Sequence, residues 1–105
     1  MLYVALGRNV GSEPMSEPTW RQFIVGVSNT IQYCEDLELP DTKALGTSNY
    51  AGMSEETCVL VWFDKVSTLS EQCLIALERI AVEYGQEAIA WTVADTKFIE
   101  TKEVN

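Results

Sequence analysis

Residues 57–63, with the sequence TCVLVWF, form an uncharged apolar run that predicts the centre of the fold. The run is rich in β-branched and aromatic residues, contains neither Gly nor Pro, and stops at Asp64. A strand with one wet face alternates apolar and polar residues, so this pattern indicates a strand that is covered on both faces. Successive side chains of a strand point to opposite faces, which puts Val59 and Val61 on one side and Leu60 and Trp62 on the other.

Two segments follow the 3.6-residue period of amphipathic helices. The first is expected to begin after the capping residue Ser16 and to fade near Tyr33. Its apolar stripe consists of Trp20, Phe23, Ile24, Val27 and Ile31. The second is expected to open with a capping box, Thr68 with Glu71, and to end at Gly85 in a left-handed conformation. Its stripe consists of Cys73, Leu77, Ile80, Ala81 and Tyr84.

Three weaker patterns predict the remaining strands. Residues 2–6 form a short apolar run that ends at Gly7. Residues 43–51 predict an irregular edge strand, interrupted at Gly46, that forms a hairpin with the central strand. Residues 88–94 predict the last strand, with one apolar face formed by Ile89, Trp91 and Val93.

The resulting order, β-α-β-β-α-β, is that of the ferredoxin-like α+β fold, a four-stranded antiparallel sheet with two helices on one face. The length of 105 residues predicts a single domain at 1–100 with a frayed tail at 101–105. Two helices cover only one face of the sheet, and bare apolar patches usually mark interaction sites. We therefore expect a symmetric homodimer formed through the open sheet face. Its expected interface residues are Leu60, Trp62 and Trp91.

Composition narrows the function classes. The net charge of −9, from 16 acidic and 7 basic residues, disfavours binding to nucleic acid or to an anionic membrane. Three cysteines without a secretory signal predict reduced thiols in the cytoplasm. The chain has no histidine, which removes histidine-based catalysis and most zinc sites. We expect no metal and no cofactor, and we assign no catalytic residue.

Three stretches resemble a group of small bacterial and phage proteins that form a domain of unknown function. They are residues 2–8, the Trp20-x-x-Phe23 pair, and residues 84–89, with the sequence YGQEAI. The resemblance implies a small α+β protein and, for a phage-encoded chain, a location in the host cytoplasm. It implies no activity, and residues 34–56 depart from the pattern of the group.

Candidate ligand-binding residues lie at three places. The loop from Gly7 to Gly11 carries Arg8 and Asn9 just before a helix, where backbone amides and a guanidinium could hold a carboxylate or phosphate. Glu87 follows the second helix and is a candidate acid, base or partner of Arg8. Tyr50 is a candidate for lining a pocket between sheet and helices. At each place an ordinary turn, capping or packing role is the more frequent arrangement.

These observations leave three hypotheses. The favoured one is a non-enzymatic protein-interaction module, such as a phage-encoded modulator of a host factor. The second is a binder or sponge for a small anion that uses the Gly7–Gly11 loop. The third is a cofactor-free enzyme similar to dimeric α/β-barrel monooxygenases or isomerases, which work in an apolar pocket. The fold alone does not choose among them.

Overall fold

The computed structural model describes residues 1–50 and 52–101, which form an α+β structure with a four-stranded antiparallel sheet and two helices. In chain order the elements are β1 (Leu2–Gly7), β2 (Asn9–Val10), β3 (Glu13–Pro14), α1 (Glu17–Glu35), β4 (Thr42–Tyr50), β5 (Met53–Trp62), α2 (Glu71–Glu83) and β6 (Ala90–Val93). The four strands of the sheet lie side by side in the order β4-β5-β1-β6, and a separate ribbon pairs β2 with β3.

The core lies between one face of the sheet and both helices. Three even-numbered residues of β1 pair across the ladder with three of β5, and all six are at most 1% exposed. They form a single cluster with the buried stripes of both helices, so the two helices cover the same face. The strand residues of this cluster are Leu2, Val4, Leu6, Cys58, Leu60 and Trp62.

The structure confirms the predicted first helix. All five residues of the predicted stripe are buried, and Ser16 is the capping residue, with its hydroxyl accepting the Thr19 N–H at 3.3 Å. Pro18 lies in the first turn, where the backbone amides lack helical partners and a missing N–H costs little. The helix continues to Glu35, where Asp36 ends it in a left-handed conformation with φ 52°.

The second helix begins later than the capping box predicts. Its capping residue is Ser70, whose hydroxyl accepts the Cys73 N–H at 3.2 Å, so the assignment of the cap to Thr68 is wrong. A capping side chain must sit directly before the first helical residue to reach the free amides of the first turn. The Ser70 N–H donates to the Glu35 carboxylate at 2.7 Å, which ties this start to the end of α1. Gly85 has a φ of 68°, as expected after the helix.

The edge strand β4 is regular, which corrects the prediction of an interruption at Gly46. Gly46 pairs in register with Thr57 of β5, because ladder hydrogen bonds need the backbone and no side chain. β1 ends opposite Thr57, and beyond that point β4 and β5 pair only with each other. We call these residues, 47–50 and 53–56, the arm.

The face of the sheet away from the helices, which we call the open face, carries the odd-numbered residues of β1 and β5. Ladder partners share a face, and the pairs Tyr3–Val61 and Ala5–Val59 are half-buried at its centre. The neighbouring strands add Thr42 and Ala44 from β4 and Ala90 and Thr92 from β6.

None of the three predicted interface residues lies on the open face. Leu60 and Trp62 are 1% and 0% exposed beneath the helices, and Trp91 pairs with Val4, so it shares the helix side of the sheet. Their assignment to the open face is therefore wrong, because that face carries the odd-numbered residues of β5 and the even-numbered residues of β6. The run at 57–63 is apolar on both sides, so its sequence does not show which side the helices cover.

Trp62→Ala and Val61→Ala are expected to differ sharply in stability. Removing the fully buried indole leaves a cavity and is expected to lower the free energy of unfolding by about 3–5 kcal/mol. Truncating the half-buried Val61 is expected to cost about 1 kcal/mol or less. Urea denaturation at low protein concentration measures both, and equal losses would contradict the face assignment.

Candidate functional site

Arg8 follows β1 and is held by groups of the chain itself. Its backbone N–H donates to the Glu56 carbonyl at 3.0 Å, and its Nε donates to the Met15 carbonyl at 2.7 Å. The guanidinium Nη1 lies 2.6 Å from the Glu56 carboxylate and 3.2 Å from that of Glu17. The side chain is only 15% exposed, and its three partners lie on β5, directly after β3 and at the start of α1.

Glu55 places its carboxylate over Gly7. The Asn9 N–H donates to Glu55 Oε2 at 2.8 Å, and a Cβ on residue 7 would collide with this carboxyl group. The missing side chain at Gly7 therefore makes room for Glu55. An amide and a guanidinium of the predicted anion loop thus do bind carboxylates, but these are the chain's own Glu55 and Glu56.

A groove of about 680 Å³ lies where the arm leaves the open face. Its floor is formed by small residues of β1 and β6, and its walls by the base of the arm and by the turn after α2. The Gln86 side-chain amide donates to the Asn9 carbonyl at 2.9 Å, and the Thr57 hydroxyl donates to that of Ser48 at 2.8 Å. The lining residues with polar side chains are Asn9, Ser48, Glu55, Thr57, Gln86 and Glu87.

The structure brings two of the four predicted ligand-binding residues to this groove. Asn9 and Glu87 line it, whereas Arg8 is turned to Glu17 and Glu56. The predicted pairing of Arg8 with Glu87 is therefore wrong for the part of the chain that the structure describes. Tyr50 is the last residue of β4, and the role predicted for its side chain lies outside what is described.

The groove is acidic. Glu55 and Glu87 supply two carboxylates, and none of its described lining residues is basic. A carboxylate attracts cations and repels phosphates or carboxylates, and this attraction strengthens where water is partly excluded. The geometry therefore favours a cationic ligand over the anion that the loop sequence predicts.

The thiols are placed as core side chains. Cys58 and Cys73 are fully buried, and burial raises the pKa of both. For Cys73 burial, followed by the neighbouring Cys34 and Glu35, raises the pKa to about 12. A thiol with a raised pKa stays protonated and is a poor nucleophile.

Two further properties concern the described residues alone. Residues 1–50 and 52–101 hold no group of three or more Cys, Asp or Glu side chains arranged to bind a metal ion. Neither of the helices in this part of the chain has the length and apolar character needed to cross a membrane.

Comparison with known proteins gives a distant structural likeness. The chain is similar to the solved structure of a phage SAM lyase in its apo state, with 18% sequence identity and a TM-score of 0.49. The alignment covers 86% of this chain and 74% of that one. No family model and no curated protein matches the chain.

The sequence prediction missed Glu55, Glu56 and Thr57. All three lie at the base of the arm. The adjacent pair Glu55-Glu56 at the start of an apolar strand was the available signal, because alternation puts the two carboxylates on opposite faces. Their partners, Asn9 and Arg8, become visible only once the register between β1 and β5 is known.

Arg8→Ala is expected to destabilise the fold, whereas Arg21→Ala serves as a matched control. The first variant removes two ion pairs and a hydrogen bond from a largely buried side chain, and we expect a loss of about 1–3 kcal/mol. Arg21 is 75% exposed and makes one helical pair with Glu17, worth about 0.3–0.5 kcal/mol. Urea denaturation measures both, and an unchanged stability in Arg8→Ala would restore a ligand role for this side chain.

Proposed function

We propose that the protein is a ferredoxin-like interaction module whose open face packs against a second copy of the chain. The observation that carries the proposal is the near absence of charge on this face. Among the described residues of the four-stranded sheet, Glu55 is the one charged residue on the open face. It lies at the edge of this face, over Gly7. The other acidic residues that the structure describes lie elsewhere, in a chain with net charge −9.

The charge distribution is compatible with a second copy as the partner. Two chains with the same net charge of −9 repel each other, so an association surface must keep carboxylates away from the contact. The centre of the open face meets this requirement, since Tyr3, Ala5, Val59 and Val61 are uncharged and half-buried. A two-fold axis through the centre would place the same uncharged patch on both sides of the contact.

The shape of the open face suits sheet-to-sheet packing. Small side chains at Ala5, Ala44 and Ala90 let a second sheet approach to the usual separation of about 10 Å. Tyr3, Val59 and Val61 supply the larger apolar groups between them. Their burial would remove from water the surface that the helices leave uncovered.

The arm gives a second reason for association. Its strands pair only with each other, and an isolated two-stranded hairpin is marginally stable in water. Contact with a second copy would add packing to the arm, beyond the bonds that Arg8 and Asn9 make to its base.

Val61→Glu is expected to convert a wild-type dimer into a folded monomer. A carboxylate at the centre of the open face would be buried without a partner in the contact, yet would remain in water in the single chain. Leu45→Glu is the matched control. Leu45 pairs with Cys58, so it lies on the helix side of the sheet, and it is 68% exposed. Light scattering after size exclusion measures the mass, and circular dichroism the fold.

The expected masses are a dimer for the wild type and Leu45→Glu, and a monomer for Val61→Glu. A dimeric Val61→Glu would contradict the open face as the contact. A wild-type monomer would contradict the second copy as the partner and would leave a different protein, such as a host factor, as the occupant of this face.

A second candidate function is the binding of a small organic cation in the groove. The pair of carboxylates from Glu55 and Glu87, with no basic residue among the described lining, favours it over the anion binder. The two carboxylates also distinguish this groove from the apolar pocket on which the cofactor-free enzyme hypothesis depends. The Glu55 carboxylate is held in place by the Asn9 N–H, so it is oriented before a ligand arrives.

Glu55→Gln is expected to weaken cation binding by about tenfold or more, because it removes one of two charges in a partly enclosed groove. Isothermal titration with choline, putrescine and S-adenosylmethionine tests an ammonium, a diamine and a sulfonium. Glu83→Gln, an equal change of charge on the exposed side of α2, is the control. Equal affinity in wild type and Glu55→Gln, or no binding of any of the three, would overturn this function.

A further inference from the structure

A second groove, which we call the α2–β6 groove, lies on the helix side of the sheet. It encloses about 250 Å³ and is mainly apolar. Trp91 is its largest lining residue and is 36% exposed. The exposed carboxylates of Glu78 and Glu87 complete the lining, beside Leu74, Leu77, Ala81, Ala88 and Ile89.

The strand beside this groove has a free edge. β6 is the last strand in the order β4-β5-β1-β6, and within the described residues it pairs with β1 alone. Its outer N–H and C=O groups are therefore available to another extended segment. An edge strand next to an apolar groove is the arrangement to which extended peptides add by strand pairing.

The segment that follows β6 has the matching chemistry. Phe98 and Ile99 are 81% and 98% exposed, so two large apolar side chains lie next to each other in water. Lys97 precedes them with a positive charge, whereas the groove lining carries two carboxylates. Apolar surface and charge are thus complementary between residues 97–99 and the α2–β6 groove.

We propose that residues 97–99 of one chain add to the free edge of β6 in a second copy and seat Phe98 in the α2–β6 groove. Neighbouring residues of a strand point to opposite faces, so Ile99 would then extend the apolar surface of the open face. By the same alternation Lys97 would lie on the open-face side of the added strand, the side on which Glu87 also lines the groove beside the arm.

The direction of the chain after β6 favours a second copy over the chain's own groove. The Ala94 N–H donates to the Met1 carbonyl at 3.0 Å, and the Met1 ammonium donates to the Ala94 carbonyl at 2.9 Å. These bonds continue the β1–β6 ladder to Ala94. Phe98 and Ile99 accordingly stay in solvent while the groove of the same chain is open.

Trp91 provides an internal probe of this contact. The other two indoles, Trp20 and Trp62, are 3% and 0% exposed, so acrylamide quenching of the folded protein reports mainly on Trp91. Quenching of the full-length protein is measured from dilute to concentrated solution, together with its mass. We expect the quenching constant to fall as association proceeds. In the double variant Phe98→Asp/Ile99→Asp it is expected to stay at the dilute value, with association at least about tenfold weaker.

Val82→Asp is the matched control, because Val82 is a 74% exposed apolar residue of α2 outside the groove lining. It is expected to behave like the wild type. Protection of Trp91 that does not depend on concentration would place the tail in its own groove and overturn the exchange. Equal quenching in the wild type and the double variant at every concentration would also overturn it. The two contacts can also be separated. If Val61→Glu dissociates the dimer while Trp91 stays accessible at every concentration, the open-face contact is supported and the tail exchange is refuted.

Discussion

The structure depends on the register between β1 and β5. This pairing puts six even-numbered side chains under the helices, each at most 1% exposed, and leaves Tyr3, Ala5, Val59 and Val61 on the other side. A shift of one residue would exchange the two faces of β5 and push Trp62 out of the core. The same register sets where β1 ends against Thr57, and hence where the arm begins and the groove opens.

The loop after β1 shows how an acidic chain can satisfy its own binding groups. Asn9 offers a backbone amide and Arg8 a guanidinium, the features expected of an anion site, yet both meet carboxylates from adjacent residues of β5. Alternation along β5 sends Glu55 over Gly7 and lets Glu56 reach Arg8. The loop therefore holds the base of the arm in place. The same contacts place the Glu55 carboxylate in the lining of the neighbouring groove, which makes that groove acidic.

Local patterns predicted the elements, and long-range pairing decided the site. The helical stripe from Trp20 to Ile31 and the left-handed Gly85 were confirmed, because each depends on neighbours within a few turns. The choice of face for Trp62 was wrong, since an apolar run does not reveal which side the helices will cover. Glu55 and Glu56 were missed for a related reason: Asn9 and Arg8 lie more than forty positions away in the sequence, and only the strand register brings them together.

Glu55 links the two candidate activities of the open face. It is the charged residue at the edge of an otherwise uncharged surface, and it also lines the groove where the arm begins. A second copy packed on the open face would exclude water near this carboxylate, which raises the cost of leaving its charge uncompensated. A cation in the groove would offset that cost, and the lower local dielectric would strengthen its attraction to Glu55. Association and cation binding would then favour each other, since each ligand stabilises the state that the other binds.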